Sequence, residues 1–233
     1  MLYMFGQLLR DMKAVKDRDP AVKSNLEIIF CYPGLHAIWL HRIAHVVYKK
    51  HLFFMARLIN TFSRFLTGID IHPGATIGQG LFIDHGMGVV IGETAEIGDN
   101  VTLYQGVTLG GTGKEKGKRH PTVGNGVVVA SGAKVLGSFR VGEFSKIGAG
   151  SVVLSEVPPH SVVVGIPGVV VRQHGKKLQA AWEIDLDHNQ LPDPVLEMYQ
   201  CMNERINHLE KRLAEVEDAD EQKNQQRITS VPR

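Results

Sequence analysis

Cysteine is nearly absent from this chain of 233 residues: Cys31 and Cys201 stand far apart in different segments. They form neither a CxxC pair nor a disulfide framework, which reads as two reduced thiols of a cytoplasmic protein. Long hydrophobic runs are missing too, and none reaches the roughly 18 residues that a membrane span needs. The N-terminus, MLYMFGQLLRDMK, has no basic segment ahead of its apolar residues and no small-residue cleavage site, so it does not read as a signal peptide. Nor is there an excess of one charge. Lysine and arginine number 26 against 24 aspartates and glutamates, so no strong field points to nucleic acid or to an anionic membrane.

Glycine is what the chain has in plenty, 25 residues gathered mostly in the middle. From residue 71 an aliphatic residue returns every six positions as Ile71, Ile77 and Ile83. After a slip of two residues the series resumes as Ile91, Ile97, Leu103 and Leu109. A segment without the pattern follows, and then come Val123, Val129, Val135, Val141, Ile147 and Val153. Many of these precede glycine directly, as in Ile77-Gly78, Ile97-Gly98 and Val141-Gly142. A period of six fits neither an amphipathic helix at 3.6 nor a half-buried strand at 2. It fits a triangular solenoid in which each unit gives one short strand and one corner, and about three units close a coil. The aliphatic residue points to the axis and stacks on its equivalent in the next coil. Glycine serves corners that need positive φ or close backbone approach.

The flanks read as helical. Residues 1–66 form an N-terminal helical domain, with Asp19-Pro20 as an N-cap and first-turn proline. Pro33-Gly34 breaks the chain before an apolar stripe of Leu35, Ile38, Trp39, Ile43, Val46 and Val47, and a further apolar helix crosses 52–66. The β-helix spans 67–172 with a loop extruded at 110–121, and Pro158-Pro159 and Gly165–Gly168 mark the exit. In the tail, 173–233, Met202, Ile206, Leu209, Leu213 and Val216 form a short heptad seam, giving a helix near 194–218. The last dozen residues are polar and read as disordered.

Local motifs go further than the repeat. They are Arg18-Asp19-Pro20-Ala21-Val22, Asp70-Ile-His72-Pro73, Ile83-Asp84-His85-Gly86 and Gly-Glu-Thr-Ala at 92–95. Val107-Thr-Leu-Gly-Gly-Thr-Gly-Lys114, Lys118-Arg119-His120-Pro121 and Gly148-Ala-Gly-Ser-Val-Val153 follow. In this order the set closely resembles the bacterial serine acetyltransferases, from about residue 15 to 170. The resemblance implies a left-handed parallel β-helix, a hand that the period alone does not give. It also implies acetyl transfer from acetyl-CoA to the hydroxyl of L-serine, the first step from serine to cysteine.

That reaction is alcoholysis of a thioester, so a base must take the serine proton as the new bond forms. By resemblance the base is His85, paired with Asp70, which lies about one coil earlier. His120, the family's second active-site histidine, supplies a donor to the oxyanion. Arg119 offers a fork for the substrate carboxylate, and Asp19 and Asp84 meet its ammonium. Backbone around Gly111 and Thr112, with Ser131, Lys146 and Ala149, lines the CoA groove between adjacent solenoids. The implied assembly is a homotrimer, or a dimer of trimers joined through N-terminal helices; here only 17 residues precede Arg18. Feedback inhibition by cysteine is a family trait and is expected through Asp19, Asp84, Arg119 and His120. Members that dock onto O-acetylserine sulfhydrylase do so with a C-terminal isoleucine; this chain closes on Val231-Pro232-Arg233, so that complex is not expected.

His36, His41, His45 and His51 lie in the helical region and read as structural, as does His72 beside a corner. A zinc enzyme of the β-helix carbonic anhydrase type would need two histidines five residues apart. No solenoid pair has that spacing, so no metal is expected. A sugar or xenobiotic acceptor would leave Asp19, Asp84 and Arg119 without a purpose, and a non-catalytic scaffold would do the same to His85 and His120.

Overall fold

The residues at six-residue spacing form the axis of the molecule. In the computed structural model, which describes residues 2–113, 116–173, 203 and 205–209, every one of them except Ile77 is buried, and Ile77 packs partly exposed against the rest. In chain order the strands begin with β1 (Asp70–Ile71), β2 (Thr76–Ile77), β3 (Phe82–Ile83), β4 (Val90–Ile91) and β5 (Glu96–Ile97). Next are β6 (Thr102–Leu103), β7 (Thr108–Gly110), β8 (Thr122–Val123), β9 (Val128–Val129) and β10 (Lys134–Leu136). The last are β11 (Arg140–Val141), β12 (Lys146–Ile147), β13 (Val152–Val153), β14 (Ser161–Val164) and β15 (Val169–Gln173).

They fall on three sides of a prism. The first side is β1-β4-β7-β10-β13, the second β2-β5-β8-β11, and the third β3-β6-β9-β12-β14 with β15 added antiparallel. All other pairings are parallel, and the register puts Ile71, Ile91, Leu109, Val135 and Val153 in one column. A second inward row lies two residues before the first: Ile69, Ala75, Leu81, Val89, Ala95, Val101, Val107, Val127 and Ala133 are all buried. Its mix of large and small residues hides it in the sequence.

Four helices precede the solenoid: α1 (Leu2–Arg18), α2 (Asn25–Cys31), α3 (Pro33–Lys49) and α4 (Phe53–Thr67). α3 starts at Pro33 as expected and closes the open end of the solenoid, where Ala37 and Ile38 join the core of Ile69, Ile71, Leu81 and Ile83. Gly34 lies so close to the Ile83 carbonyl that a Cβ would collide with it. Polar ties secure the same contact. Buried Asp11 receives both arms of Arg42, at 2.9–3.0 Å, and the Gly80 N–H at 3.2 Å. Arg18 donates to the Val101 carbonyl at 3.1 Å and to the Thr102 hydroxyl at 3.2 Å.

Two expectations change, and the apolar helix expected across 52–66 is present as α4. Asp19-Pro20 does not start a helix: its side chain instead accepts from Ala21 N–H at 2.8 Å, an Asx turn between α1 and α2. The cap is Ser24, which accepts from Glu27 N–H at 3.2 Å while Glu27 accepts from Lys23 N–H at 2.8 Å. Pro158-Pro159 is not the exit, because β14 still pairs in parallel with β12 beyond it; Gly165–Gly168 is the turn that reverses the chain. The apolar helix α4 leaves much of its apolar side exposed, with Phe54, Leu58, Phe62 and Phe65 all more than half accessible.

The chain divides into two units, Met1–Leu191 and Pro192–Arg233. In the second, residues 203 and 205–209 are helical, with Ile206 and Leu209 about half exposed. The rest of the expected helix near 194–218, and the polar terminus, lie outside the described residues. No helix among the described residues is long and apolar enough to cross a membrane.

The helix histidines are structural. The ring nitrogens of His36 and His45 bond the Ile29 and Pro73 carbonyls at 2.6 and 2.8 Å. His41 is buried, and that burial, with His45 and Arg42 beside it, pushes the imidazole down to about 3 from 6.5. The folded state therefore refuses a proton that the unfolded chain takes up, and His41 lowers stability as pH falls from 6.5 towards 3. Replacing it by glutamine, which keeps a donor, should shrink the stability lost between pH 7.5 and pH 5 by about 2 kcal/mol in urea titrations.

Candidate active site

The six-residue period is broken twice between Ile71 and Val153, and each break carries a candidate histidine. The first break inserts two residues between Ile83 and Ile91, at the edge where the third side passes to the first. The surplus chain bulges: Met87 N–H donates to the His85 carbonyl at 2.6 Å, and Val89 N–H to that of Gly86 at 3.1 Å. His85 sits in the left-handed region with φ 49°, and its side chain is 80% exposed. Such conformations persist only where the surroundings impose them. Later coils turn this edge in the regular six residues.

Three carboxylates belong to this edge or stand beside it. Asp84 Oδ1 is 3.8 Å from His85 Nε2. Asp70 heads β1, the strand that pairs with β4 just after the bulge, so it shares the edge one coil earlier. Its oxygens accept from Asn60 Nδ2 at 3.1 Å and Arg64 at 3.3 Å, while the carboxylate contacting His85 is Asp84. Asp19 arrives from the α1–α2 turn and accepts from the Tyr32 hydroxyl at 2.5 Å. Burial, the bond to Asp19 and the charges of Asp19 and Asp84 push the Tyr32 phenol well above its ordinary range. Burial and both charges raise Tyr104 likewise. The two aspartates and two tyrosines thus form one cluster. No motif announces Tyr32 or Tyr104; only the turn of the chain brings them to Asp19 and Asp84.

The second break is the loop between β7 and β8, at the opposite end of the first-side strands, where that side passes to the second. Lys114 and Glu115 lie outside the described residues. The loop returns as Lys118-Arg119-His120 and is fastened by the Gly-Glu-Thr-Ala segment at 92–95. Arg119 pairs with Glu93 at 2.5 Å, and Glu93 also accepts from the Tyr48 hydroxyl at 3.1 Å. The bond from Arg119 holds the Glu93 carboxyl below its usual range. Lys118 reaches the Thr94 carbonyl at 2.8 Å and Glu96 at 3.0 Å. His120 is buried with Nδ1 turned to Thr94, and burial and Arg119 hold it below the usual imidazole range. Gly92 makes room for the ring, because a Cβ there would run into it.

The expected CoA residues divide in the same way. Gly111 and Thr112 stand exposed at the start of the loop. Ser131 and exposed Ala149 lie on the His85 edge two and three coils on, beside the ladder Gly88, Gly106, Gly132 and Gly150. That ladder has positive φ throughout and leaves a ridge free of side chains. Lys146 begins β12 on the third side. One chain therefore unites Asp19, Asp84 and His85, with Asp70 alongside, and separately unites Arg119 and His120. The two groups stand at opposite ends of the first-side strands. Among the described residues no cluster of three or more His, Cys, Asp or Glu is placed to hold a metal.

A hexapeptide solenoid with an exposed histidine among carboxylates at one edge, and an Arg-His pair fastened at the next, defines an acyltransferase of the hexapeptide-repeat class. No family model matches the chain. It is 61% identical to the serine acetyltransferase of Bacillus subtilis over 221 residues, 95% of this chain and 99% of that protein. The crystal structure of Neisseria gonorrhoeae serine acetyltransferase superposes with a TM-score of 0.74 at 42% identity, covering 76% of this chain and 68% of the other. A serine acetyltransferase solved in complex with cysteine gives 0.72 at 42% identity, covering 73% and 70%. The chain belongs to the serine acetyltransferase family.

Gly92→Ala tests the placement of His120, since Gly92 has no positive φ and the three atoms nearest the added methyl all belong to the ring. We expect turnover to fall by about 10²-fold with the melting temperature little changed. A fully active variant would show that the ring need not sit where it does.

Proposed function

We propose that this acyltransferase moves an acetyl group from acetyl-CoA to the hydroxyl of L-serine, giving O-acetyl-L-serine and CoA, at a site completed by two copies of the chain. Family membership carries the reaction, the first step from serine to cysteine. The observation that carries the shared site is the division of the catalytic set between opposite ends of the first-side strands.

His85 takes the serine proton as the oxygen attacks the thioester carbon, and returns it to the CoA sulfur as the C–S bond breaks. By resemblance Asp70, alongside on the same edge, orients the imidazole and offsets its positive charge, while the carboxylate found against the ring is Asp84, 3.8 Å away. His120, from the neighbouring copy, donates to the oxyanion. Arg119 meets the substrate carboxylate, with Glu93 fixing its fork, while Asp19 and Asp84 receive the ammonium. Tyr32 holds Asp19 in place. The pantetheine arm runs along the glycine ridge past Ser131 and Ala149, with Lys146 nearby and Gly111 and Thr112 facing it from the other copy.

Contact between one edge and a different edge is heterologous and forms a closed assembly when its rotation returns to the start, as a ring of three copies does. The exposed apolar side of α4 favours such packing, since Asn60 and Arg64 of that helix reach Asp70 at the same edge. The assembly proposed is a homotrimer, alone or as half of a dimer of trimers, as the resemblance implies. Cysteine has the carboxylate and ammonium of serine and occupies the same groups as a competitive inhibitor, in keeping with the relative solved with cysteine.

Thiol release from acetyl-CoA should require L-serine and fall about 10²–10⁴-fold in His85→Ala. His85→Ala and His120→Ala chains, each inactive, should regain activity when unfolded together and reassembled, at about a quarter of the sites for random mixing. No recovery would place both histidines in one chain. Millimolar cysteine should raise the KM for serine and leave kcat unchanged; unaltered kinetics would remove it as a ligand of this site.

A further inference from the structure

We infer that Thr94 is a positioning residue that holds His120 as the Nε2–H tautomer, making this imidazole a hydrogen-bond donor and excluding it as a base. The inference rests on the assignment of His120 to the serine site. Its ground is the count of donors around Nδ1. The Thr94 backbone N–H, which can only donate, points at Nδ1 from 3.2 Å. The Thr94 hydroxyl lies 2.9 Å from the same nitrogen. Its oxygen already accepts from the backbone N–H groups of Arg119 at 3.0 Å and His120 at 3.1 Å, so its own proton is directed at Nδ1. Two donors converge on one lone pair, and no proton fits on Nδ1.

In a neutral ring the proton then stands on Nε2. An imidazolium would press a third proton between two donors. The charges facing the ring are Arg119 and Lys118, which oppose protonation, and Glu93, which favours it; burial, the largest single influence, also opposes it. Nε2 sits between Gly92 and Gly111, which present no side chains to cover it. The N–H is therefore left open to an anionic partner, an oxyanion or a carboxylate. Five hydrogen bonds at one threonine thus fasten the returning loop and set the direction of its imidazole. His85, exposed on its bulge, has no such constraint, and the proton transfer falls to it.

The tautomer is measured without catalysis. Long-range ¹H–¹⁵N correlation spectra of the whole enzyme labelled with ¹⁵N-histidine, with the His120 signals identified by their loss in His120→Gln, should show a protonated Nε2 and a lone-pair Nδ1 at neutral pH. An Nδ1–H tautomer or an imidazolium overturns the inference, even if serine is acetylated normally. Loss of serine-dependent turnover with the Nε2–H signature intact would discard the function and keep the tautomer. In kinetics, Thr94→Val should lower kcat by about 10²-fold while the KM for acetyl-CoA stays put, with Thr94→Ser restoring most of the rate. His120→Gln, which keeps a donor at the ε position and cannot act as a base, should retain well over the rate of His120→Ala. Equal rates for the Gln and Ala variants, or full activity in Thr94→Val, would count against the assignment.

Discussion

Everything in this molecule depends on the stacking of one aliphatic residue per side on its counterpart a coil away. The column Ile71, Ile91, Leu109, Val135 and Val153 is held in strict register by parallel pairing, so no side can gain or lose a residue without turning its inward residue to solvent. Length can change only at the edges. Chemistry is confined there for the same reason: the sides spend their inward positions on the core, and their strands are mostly two residues long. The two departures from six residues are accordingly where His85 and His120 stand, one on a short bulge and the other on a returning loop.

The helical region does two jobs with one set of contacts. α3 seals the first coil, which would otherwise expose Ile71 and Ile83, while the Arg42–Asp11 pair ties the helices to Gly78 and Gly80 of that coil and Arg18 ties them to the second. A buried pair of this kind is costly to break singly, because the partner left behind is an uncompensated charge. The same helices deliver Asp19, Tyr32 and Asn60 to the His85 edge. Capping the core and placing Asp19, Tyr32 and Asn60 at this edge are thus done by the same contacts.

Local signals survive in a sequence when a residue's role depends on its neighbours along the chain. The hexapeptide period, the phase slip at 83–91 and the unpatterned stretch at 110–121 are of that kind, and they determined the solenoid, its three blocks and the place of both histidines. The motif resemblance added the reaction and the roles of Asp70, Asp84, Arg119 and the rest. Where the signal was local but two readings competed, the chain chose otherwise: Asp19-Pro20 has the residues of a helix cap, yet Asp19 is taken by Ala21 and Tyr32.

Contacts across coils leave no periodic trace. Tyr32 against Asp19, Glu93 against Arg119, Asn60 against Asp70 and Thr94 against His120 join residues from 10 to 26 positions apart. Only tertiary structure decided them, because they depend on which edge each residue occupies and which coil lies beside it. The division of the candidate residues between two edges is the plainest instance. The sequence determined which residues are candidates for the chemistry, since each sits in a short motif. Only the winding of the prism decided that they point in two directions, because an edge position depends on the sum of all the turns before it.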